Sequence, residues 1–183
     1  ESVITNVNIT GQRSGVTGDG GMCGRNDGTI TYNYCATLGK MGYEGSSMYS
    51  PFNGFSAGVT ILNNCYTLSE LTEGTGSGNC FTMSHQGGTN TYNNSYYLTL
   101  VGTYKGGIQT TAEQVESGEL GYLLNGDQST IGWYQTLGVD AYPVPFPSSE
   151  QVYANGELRC DGTSVGGELT YSNSETSTVP PHT

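Results

Sequence analysis

Positive charge is scarce in this chain, and its scarcity argues against two classes of partner. Only five of the 183 residues are lysine or arginine, against 16 acids, and the formal net charge is −11. Nucleic-acid binders usually present a basic patch or stripe to the phosphate backbone, and this sequence contains none. An anionic membrane surface would repel the chain for the same reason. The charge pattern therefore predicts no nucleic-acid partner.

Long apolar runs are also missing. No stretch approaches the roughly 20 apolar residues that a membrane-spanning helix needs, so we expect no membrane insertion. No signal peptide is recognisable, and the chain begins at Glu1, directly before residues 2–10, whose sequence is typical of a β-strand. We therefore expect a fragment of a longer protein whose targeting signal and neighbouring domains lie outside it.

Metal-binding residues are few and badly spaced. The histidines are His85 and His182, and the five cysteines (Cys23, Cys35, Cys65, Cys80 and Cys160) show no C-x-x-C spacing. Zinc sites usually combine closely spaced Cys and His ligands. Repeated Asp motifs of the calcium-binding kind are missing as well. We predict no metal and no cofactor.

Glycine, tyrosine and small polar residues are abundant instead. The chain has 29 Gly and 14 Tyr, but only 11% charged residues. Intrinsic disorder usually combines high charge with few aromatics, which is the opposite of this composition. Glycine and asparagine favour turns, whereas threonine and tyrosine favour strands. The composition is typical of a turn-rich β protein.

A short stretch occurs three times at a spacing of 30 residues, at 28–36, 58–66 and 88–96. The matching positions are Gly28, Gly58 and Gly88, then Asn33, Asn63 and Asn93, then Cys35, Cys65 and Ser95. A fixed period of about 20–50 residues indicates a repeat architecture. The spacing predicts three units, near 17–41, 42–71 and 72–101.

Each unit contains two strand-like segments, which could form a hairpin or two sides of a coil. A coil is favoured because each strand can then pair with its counterpart one period on. The sequence therefore predicts an all-β protein, a parallel β-helix or β-solenoid of about three to four rungs. Residues 1–101 would form these rungs, with the first one truncated. At about 4.8 Å per rung, the stack would be about 15–20 Å long.

The matching side chains predict structural ladders. Stacked Asn33, Asn63 and Asn93 could hydrogen-bond along the stack, although an asparagine can also simply end a strand at a turn. Cys35 and Cys65 would lie about 5 Å apart, a distance that a disulfide tolerates. The sequence favours the other arrangement, a column of buried, reduced thiols that fill the core.

After residue 101 the repeat pattern stops. Residues 102–147 contain a sequence pattern that predicts helices. A capping box at Thr110 and Glu113 would begin a short helix that ends at about Glu116. A second helix at 117–124 would end at Asn125 and Gly126. We expect this segment to cap the open end of the stack. Residues 148–183 would form a hairpin-like extension, turning at Asn155 and Gly156, and a polar tail.

Several segments together resemble the GLUG repeat of large surface proteins from gut and oral bacteria. The resemblance rests on Gly-Gly-Met-Cys-Gly from Gly20, Asn-Tyr-Cys from Asn33 and Asn-Asn-Cys-Tyr from Asn63. It also rests on residues 111–125 and 133–144, which look like the region that follows such repeats in Bacteroides-type and clostridial surface proteins. GLUG repeats also occur in non-catalytic regions of IgA-protease-type metallopeptidases. The resemblance implies an extracellular repeat segment without enzymatic activity.

No catalytic residues are predicted. A glycosidase needs two carboxylates about 5–10 Å apart. Among the acidic residues of the repeats, Glu70 and Glu73 are the closest in sequence, and they lie in a segment whose composition is typical of a solvated loop. His85 and His182 lack the neighbours that a metallopeptidase or a serine hydrolase requires. Enzymatic activity is therefore not expected.

The repeat tyrosines are the candidate binding residues. If Tyr34, Tyr66 and Tyr96 lie on an outer face, they could form a platform for sugar rings or for a protein partner, because exposed aromatic patches mark interaction sites. The alternative is that these tyrosines fill the core.

These patterns favour a non-enzymatic segment of a secreted or surface-anchored bacterial protein, located outside the cell or at its surface. It would act as an adhesin-like region or as a stalk, with a glycan, a host surface protein and other domains of the same polypeptide as partners. The alternative function is an accessory region of a larger polysaccharide- or peptide-degrading enzyme. An ordered carboxylate pair in a cleft would favour the enzyme, and a flat aromatic face would favour binding.

Overall fold

The computed structural model describes residues 2–5, 8–9, 12–15, 19–43, 49–72, 80–84, 87–99, 106–156 and 169–175. The chain divides into two compact units, Glu1–Thr110 and Thr111–Thr183. The predictions made for Glu73, His85, Cys160 and His182 lie outside the described residues.

The first unit consists of short strands joined by glycine- and asparagine-rich corners, as its composition predicted. In chain order the strands are β1 (Ser2–Thr5), β2 (Asn8–Ile9), β3 (Gln12–Gly15), β4 (Asp19–Gly20), β5 (Thr29–Asn33), β6 (Ala36–Thr37), β7 (Lys40–Tyr43), β8 (Tyr49–Ser50), β9 (Asn53–Ser56), β10 (Val59–Asn63), β11 (Tyr66–Thr67), β12 (Glu70–Thr72), β13 (Thr82–Ser84), β14 (Thr89–Asn93), β15 (Tyr96–Tyr97) and β16 (Ile108–Gln109).

Most strands of the first unit pair in parallel with strands about one repeat away; β16 is an exception, because Ile108 lies opposite Tyr96 of the nearby β15. One sheet has the order β1-β5-β10-β14 and a second has the order β16-β15-β11-β6-β2. Smaller sheets are β12-β7-β3, β13-β9 and β4-β8. Asn33 lies opposite Asn63, which lies opposite Asn93. This register follows from the 30-residue spacing, because equivalent positions then meet across each pair of strands.

Aromatic rings fill the centre of the first unit. The ring of Tyr32 packs edge-on against Phe52 with centroids 5.2 Å apart, and Phe52 packs against Phe81 at 5.8 Å. Phe81 also contacts Tyr92 and Tyr97. Each repeat contributes aromatic side chains to this column, which explains how a chain with few aliphatic residues still builds a core.

A buried polar network lies beside the aromatic column. The Tyr32 hydroxyl donates to Asn53 Oδ1, and Asn53 Nδ2 donates to Thr60 Oγ1 at 2.9 Å. Asn26 Nδ2 donates to the same Thr60 oxygen at 3.2 Å, and the hydroxyls of Ser56 and Thr60 are 3.1 Å apart. Buried polar groups stabilise a fold only when they find such partners. These side chains therefore join neighbouring repeats through the interior.

Two short helices and an antiparallel strand pair build the second unit. The elements are α1 (Ala112–Glu116), α2 (Glu119–Leu124), β17 (Tyr153–Asn155) and β18 (Thr170–Ser172). Leu120, Leu124 and Trp133 are fully buried in it. Helix α2 ends at Leu124 with Asn125 as its C-cap, as predicted, but it begins at Glu119, two residues later than predicted.

The capping box of α1 lies one residue later than predicted. Thr111 is the N-cap: its hydroxyl accepts from the Gln114 amide at 3.2 Å, and its own amide donates to the Gln114 side chain at 3.0 Å. Thr110 cannot take this role, because its amide donates to the carbonyl of Tyr97 and so belongs to the strand pairing of the first unit.

Buried amide side chains organise the loops of the second unit. Asn125 Oδ1 accepts from the backbone amides of Gly132 and Trp133, and its Nδ2 donates to the Trp133 carbonyl at 2.9 Å. Asn173 likewise donates to the carbonyls of Gln135 and Gln151. Because buried backbone groups need partners, these amides let a loop-rich segment pack tightly.

The predicted fold class is wrong. The structure combines parallel and antiparallel sheets with two short helices, has mixed α/β character, and shows no closed solenoid among its described residues. The strands are only two to five residues long and belong to separate sheets. In addition, the repeat period applies only to the first unit, whereas the second unit is built without it.

The predicted hairpin turn at Asn155 and Gly156 is not tested, because its second strand, residues 157–160, lies outside the described residues. Among the described residues, β17 ends at Asn155 and pairs antiparallel with β18, so that Asn155 lies opposite Thr170.

Candidate functional site

The corners after β5, β10 and β14 recur in the same left-handed conformation in each repeat of the first unit. Tyr34, Asn64 and Asn94 follow directly after β5, β10 and β14, with φ of 51°, 53° and 46°. This left-handed conformation costs a residue with a bulky side chain more than it costs asparagine. The second and third repeats have asparagine at this left-handed position, whereas the first repeat has a tyrosine.

The predicted asparagine side chains meet along the stack. Asn63 Nδ2 donates to Asn33 Oδ1 at 2.7 Å, and Asn93 Nδ2 donates to Asn63 Oδ1 at 2.8 Å. The register places the three side chains one above another at the ends of their strands. We call these three residues the first amide ladder.

A second amide ladder runs beside the first, and sequence reasoning missed it. Asn94 Nδ2 donates to Asn64 Oδ1 at 3.0 Å, and the hydroxyl of Tyr96 donates to Asn94 Oδ1, also at 3.0 Å. Tyr34 occupies the equivalent position of the first repeat and cannot extend the amide chain. The doubled Asn63-Asn64 and Asn93-Asn94 pairs were the signal that could have revealed it.

The predicted tyrosine binding face is not formed. Tyr66 is fully buried and Tyr96 is only 6% exposed, whereas Tyr34 is half-buried at its corner. Both residues of β11 and both residues of β15 are buried. Tyr66 and Tyr96 therefore serve as packing residues, and the Tyr96 hydroxyl ends the second ladder. For Tyr66 and Tyr96 the structure therefore matches the alternative, in which the repeat tyrosines fill the core.

The predicted cysteine positions form a column with a serine. Cys35 and Cys65 are buried, reduced thiols. The Cys35 amide donates to Cys65 Sγ at 3.4 Å, and the Cys65 amide donates to Ser95 Oγ at 3.3 Å. Burial, followed by the neighbouring Cys35 thiol, raises the pKa of Cys65. The Cys65 thiol therefore packs in the core as a protonated thiol at neutral pH rather than acting as a nucleophile.

The acidic residues of the repeats do not form a catalytic pair among the described side chains. Asp27 accepts from Arg25 Nε at 2.6 Å on the surface, and Arg25 also lies 4.8 Å from the centre of the Phe55 ring. Glu70 is exposed. In the described parts of the chain, no group of three or more His, Cys, Asp or Glu residues is placed to hold a metal ion.

The second unit contains an open cleft of about 740 Å³ between its helices and β18. Its lining includes Glu113, Glu116, Glu119, Leu137 and Tyr171. Burial raises the pKa of Tyr171 to about 12, with additional contributions from Glu119 and Tyr122. Backbone and Thr111 hydrogen bonds lower the pKa of Glu113. A general acid needs a raised carboxyl pKa, and Glu113 shows the opposite shift.

In comparisons with known proteins, no family model, no curated protein and no solved structure matches the chain. In the described part of the chain, neither helix is long and apolar enough to cross a membrane.

Proposed function

We propose that this chain is a non-enzymatic stalk segment of a secreted or surface-anchored bacterial protein, related to the GLUG-repeat proteins that its sequence resembles. Such a segment holds other domains of the same polypeptide at a fixed distance from the cell. It acts through its mechanical and thermal stability and not through a bound substrate.

The observation that carries this proposal is that the repeated polar side chains bond to each other. Asn33, Asn63 and Asn93 form one ladder, and Asn64 and Asn94 form another. Thr37 and Thr67 add a hydroxyl pair at 2.9 Å. A binding surface would direct such groups toward a partner, whereas here they connect one repeat to the next. The repeats therefore use their polar residues for cohesion.

The position of the tyrosines favours a stalk over a lectin-like adhesin. Sugar-binding platforms need exposed aromatic faces, and Tyr66 and Tyr96 are buried.

Two measurements on the full chain test this proposal. Hydrogen exchange should show the slowest amides in the strands that carry the ladders, and a glycan array should show no saturable binding. The matched control is Tyr34→Ala, which removes the ring that is half-buried at its corner. Saturable glycan binding that Tyr34→Ala abolishes would overturn the stalk proposal in favour of an adhesin.

A further inference from the structure

We propose that Cys35 and Cys65 form a reversible disulfide that ties two neighbouring repeats together when the chain folds in an oxidising compartment. The two residues hold the same position in adjacent parallel repeats, since each directly precedes the paired residues Ala36 and Tyr66. Neighbouring strands lie about 4.8 Å apart, and a disulfide spans Cα separations of about 4.4–6.8 Å. This inference does not depend on the stalk proposal.

The two side chains already approach each other. Cys65 Sγ lies 3.4 Å from the backbone nitrogen of Cys35 and 3.5 Å from the carbonyl oxygen of Tyr32, so it leans toward the preceding repeat. The Cys35 thiol is also close enough to contribute to the raised pKa of Cys65.

The geometry makes this bond easy to reduce. A disulfide prefers Cβ atoms about 3.5–4.5 Å apart, slightly less than the spacing of parallel strands, about 4.8 Å. The two corners must therefore move together by a few tenths of an ångström. A disulfide strained in this way has a higher reduction potential than a relaxed structural one, which is why we describe it as reversible.

The third repeat limits the bond to a single pair. Ser95 occupies the equivalent position and accepts from the Cys65 amide with its hydroxyl. It also donates to the Asn93 carbonyl at 3.0 Å, as Cys65 does to the Asn63 carbonyl at 3.3 Å. Serine therefore fits the column without distortion, and it provides a natural model for Cys→Ser variants.

Oxidation proceeds by thiol–disulfide exchange with a disulfide such as oxidised glutathione. The thiolate of one cysteine attacks a glutathione sulfur and expels glutathione thiolate, and the second cysteine thiolate then attacks the mixed disulfide and expels the other. The two protons lost by the cysteines pass to the two glutathione thiolates. Because the folded core buries both thiols, the exchange takes place while the corners are still open during folding.

The experiment refolds the full chain in a buffer of reduced and oxidised glutathione, followed by alkylation and mass mapping of a non-reducing digest. We expect a peptide pair joined through Cys35 and Cys65. We also expect the Tm of the chain refolded in dithiothreitol to be lower by roughly 5–10 °C than that of the oxidised chain, since a bond closing a loop of this length stabilises the folded state.

Variants separate this bond from other thiol chemistry. Cys35→Ser and Cys65→Ser should each abolish the effect of dithiothreitol on the Tm, whereas Cys160→Ser should leave it intact. If Cys35 and Cys65 of the parent chain are recovered as alkylated thiols after refolding, the proposal is wrong. This result does not depend on whether the variants fold. A dithiothreitol effect that persists in Cys35→Ser would overturn it as well.

Discussion

Asn63 donates its side-chain amide to the side-chain oxygen of Asn33 at 2.7 Å, across two strands that lie in register. Asn63 also accepts from Asn93, so it makes two ladder bonds and Asn93 makes one. Each such bond is worth about 1 kcal/mol. We therefore expect Asn63→Ala to lower the free energy of unfolding by about 2 kcal/mol and Asn93→Ala by about 1 kcal/mol.

Urea denaturation followed by circular dichroism measures both variants of the first ladder. The comparison is internal, because the two substitutions are chemically identical and differ only in position. Equal losses in the two variants would show that the ladder bonds are not what stabilises this strand end.

Tyr34 is predicted to be a suboptimal residue at its corner. Its φ of 51° is tolerated better by asparagine, and an asparagine there could also accept from Asn64 Nδ2 and lengthen the second ladder. We expect Tyr34→Asn to stabilise the protein by about 1 kcal/mol. Thermal and urea melts of the variant test this expectation.

Tyr34→Gly is the matched comparison for this corner. Glycine relieves the backbone strain but cannot join the ladder, so its gain should be smaller than that of asparagine. If both variants are less stable than the parent, packing of the Tyr34 ring outweighs the strain at its backbone.

Gly58 is required by close packing of the backbone. A Cβ at this position would collide with the carbonyl oxygen of Gly28, and one at Gly88 would collide with that of Ser56. A Cβ at Gly28 meets nothing within 4 Å. We expect Gly58→Ala to destabilise the protein by about 3 kcal/mol and Gly28→Ala to change stability by less than about 0.5 kcal/mol.

The two alanine variants are compared by their urea midpoints under identical conditions. Gly28→Ala serves as the control for the change in residue type, since Gly28, Gly58 and Gly88 share one repeat position. A tolerated Gly58→Ala would mean that the repeats can separate there without loss of pairing.

Stability should fall at alkaline pH because several tyrosines resist ionisation in the folded state. Burial raises the pKa of Tyr32 and Tyr92, and raises that of Tyr171 to about 12 from its ordinary value of 10.0. The folded state therefore holds these protons at a pH where the unfolded state releases them. The free energy of unfolding is unaffected below about pH 10 and decreases as the pH rises above it.

Urea melts between neutral pH and pH 11, together with tyrosinate absorbance, measure this loss. Tyr171→Phe should reduce the alkaline loss in the second unit, because phenylalanine cannot ionise. A flat stability profile up to pH 11 would contradict the assigned direction of these shifts.

The sequence predicted the structure correctly where the spacing of residues along the backbone alone decides which residues lie together. The 30-residue period predicted that Asn33, Asn63 and Asn93 would lie opposite each other, because parallel strands pair equivalent positions. The second helix and its end at Asn125 were predictable from local residues as well. Neither feature depends on what packs against it.

Burial was not predictable in the same way. Alternation assigns one face of a strand to the core, but β11 and β15 have only two residues each, all of them buried. Whether Tyr66 and Tyr96 meet solvent depends on the segments that cover them. The capping residue of α1 likewise depended on the Thr110 amide, which bonds to Tyr97 in the strand pairing.

The sequence by itself determined which equivalent asparagine and cysteine positions of the repeats are neighbours, since a fixed period places them opposite each other in parallel strands. Only the tertiary structure decided the fold class, the burial of the tyrosines and the shifted register of β9 against β13, where Asn53 lies opposite Thr82 and Ser56 lies opposite Ser84. These properties arise from packing between segments far apart in the chain, where side-chain volume and the need to pair every buried polar group override local pattern.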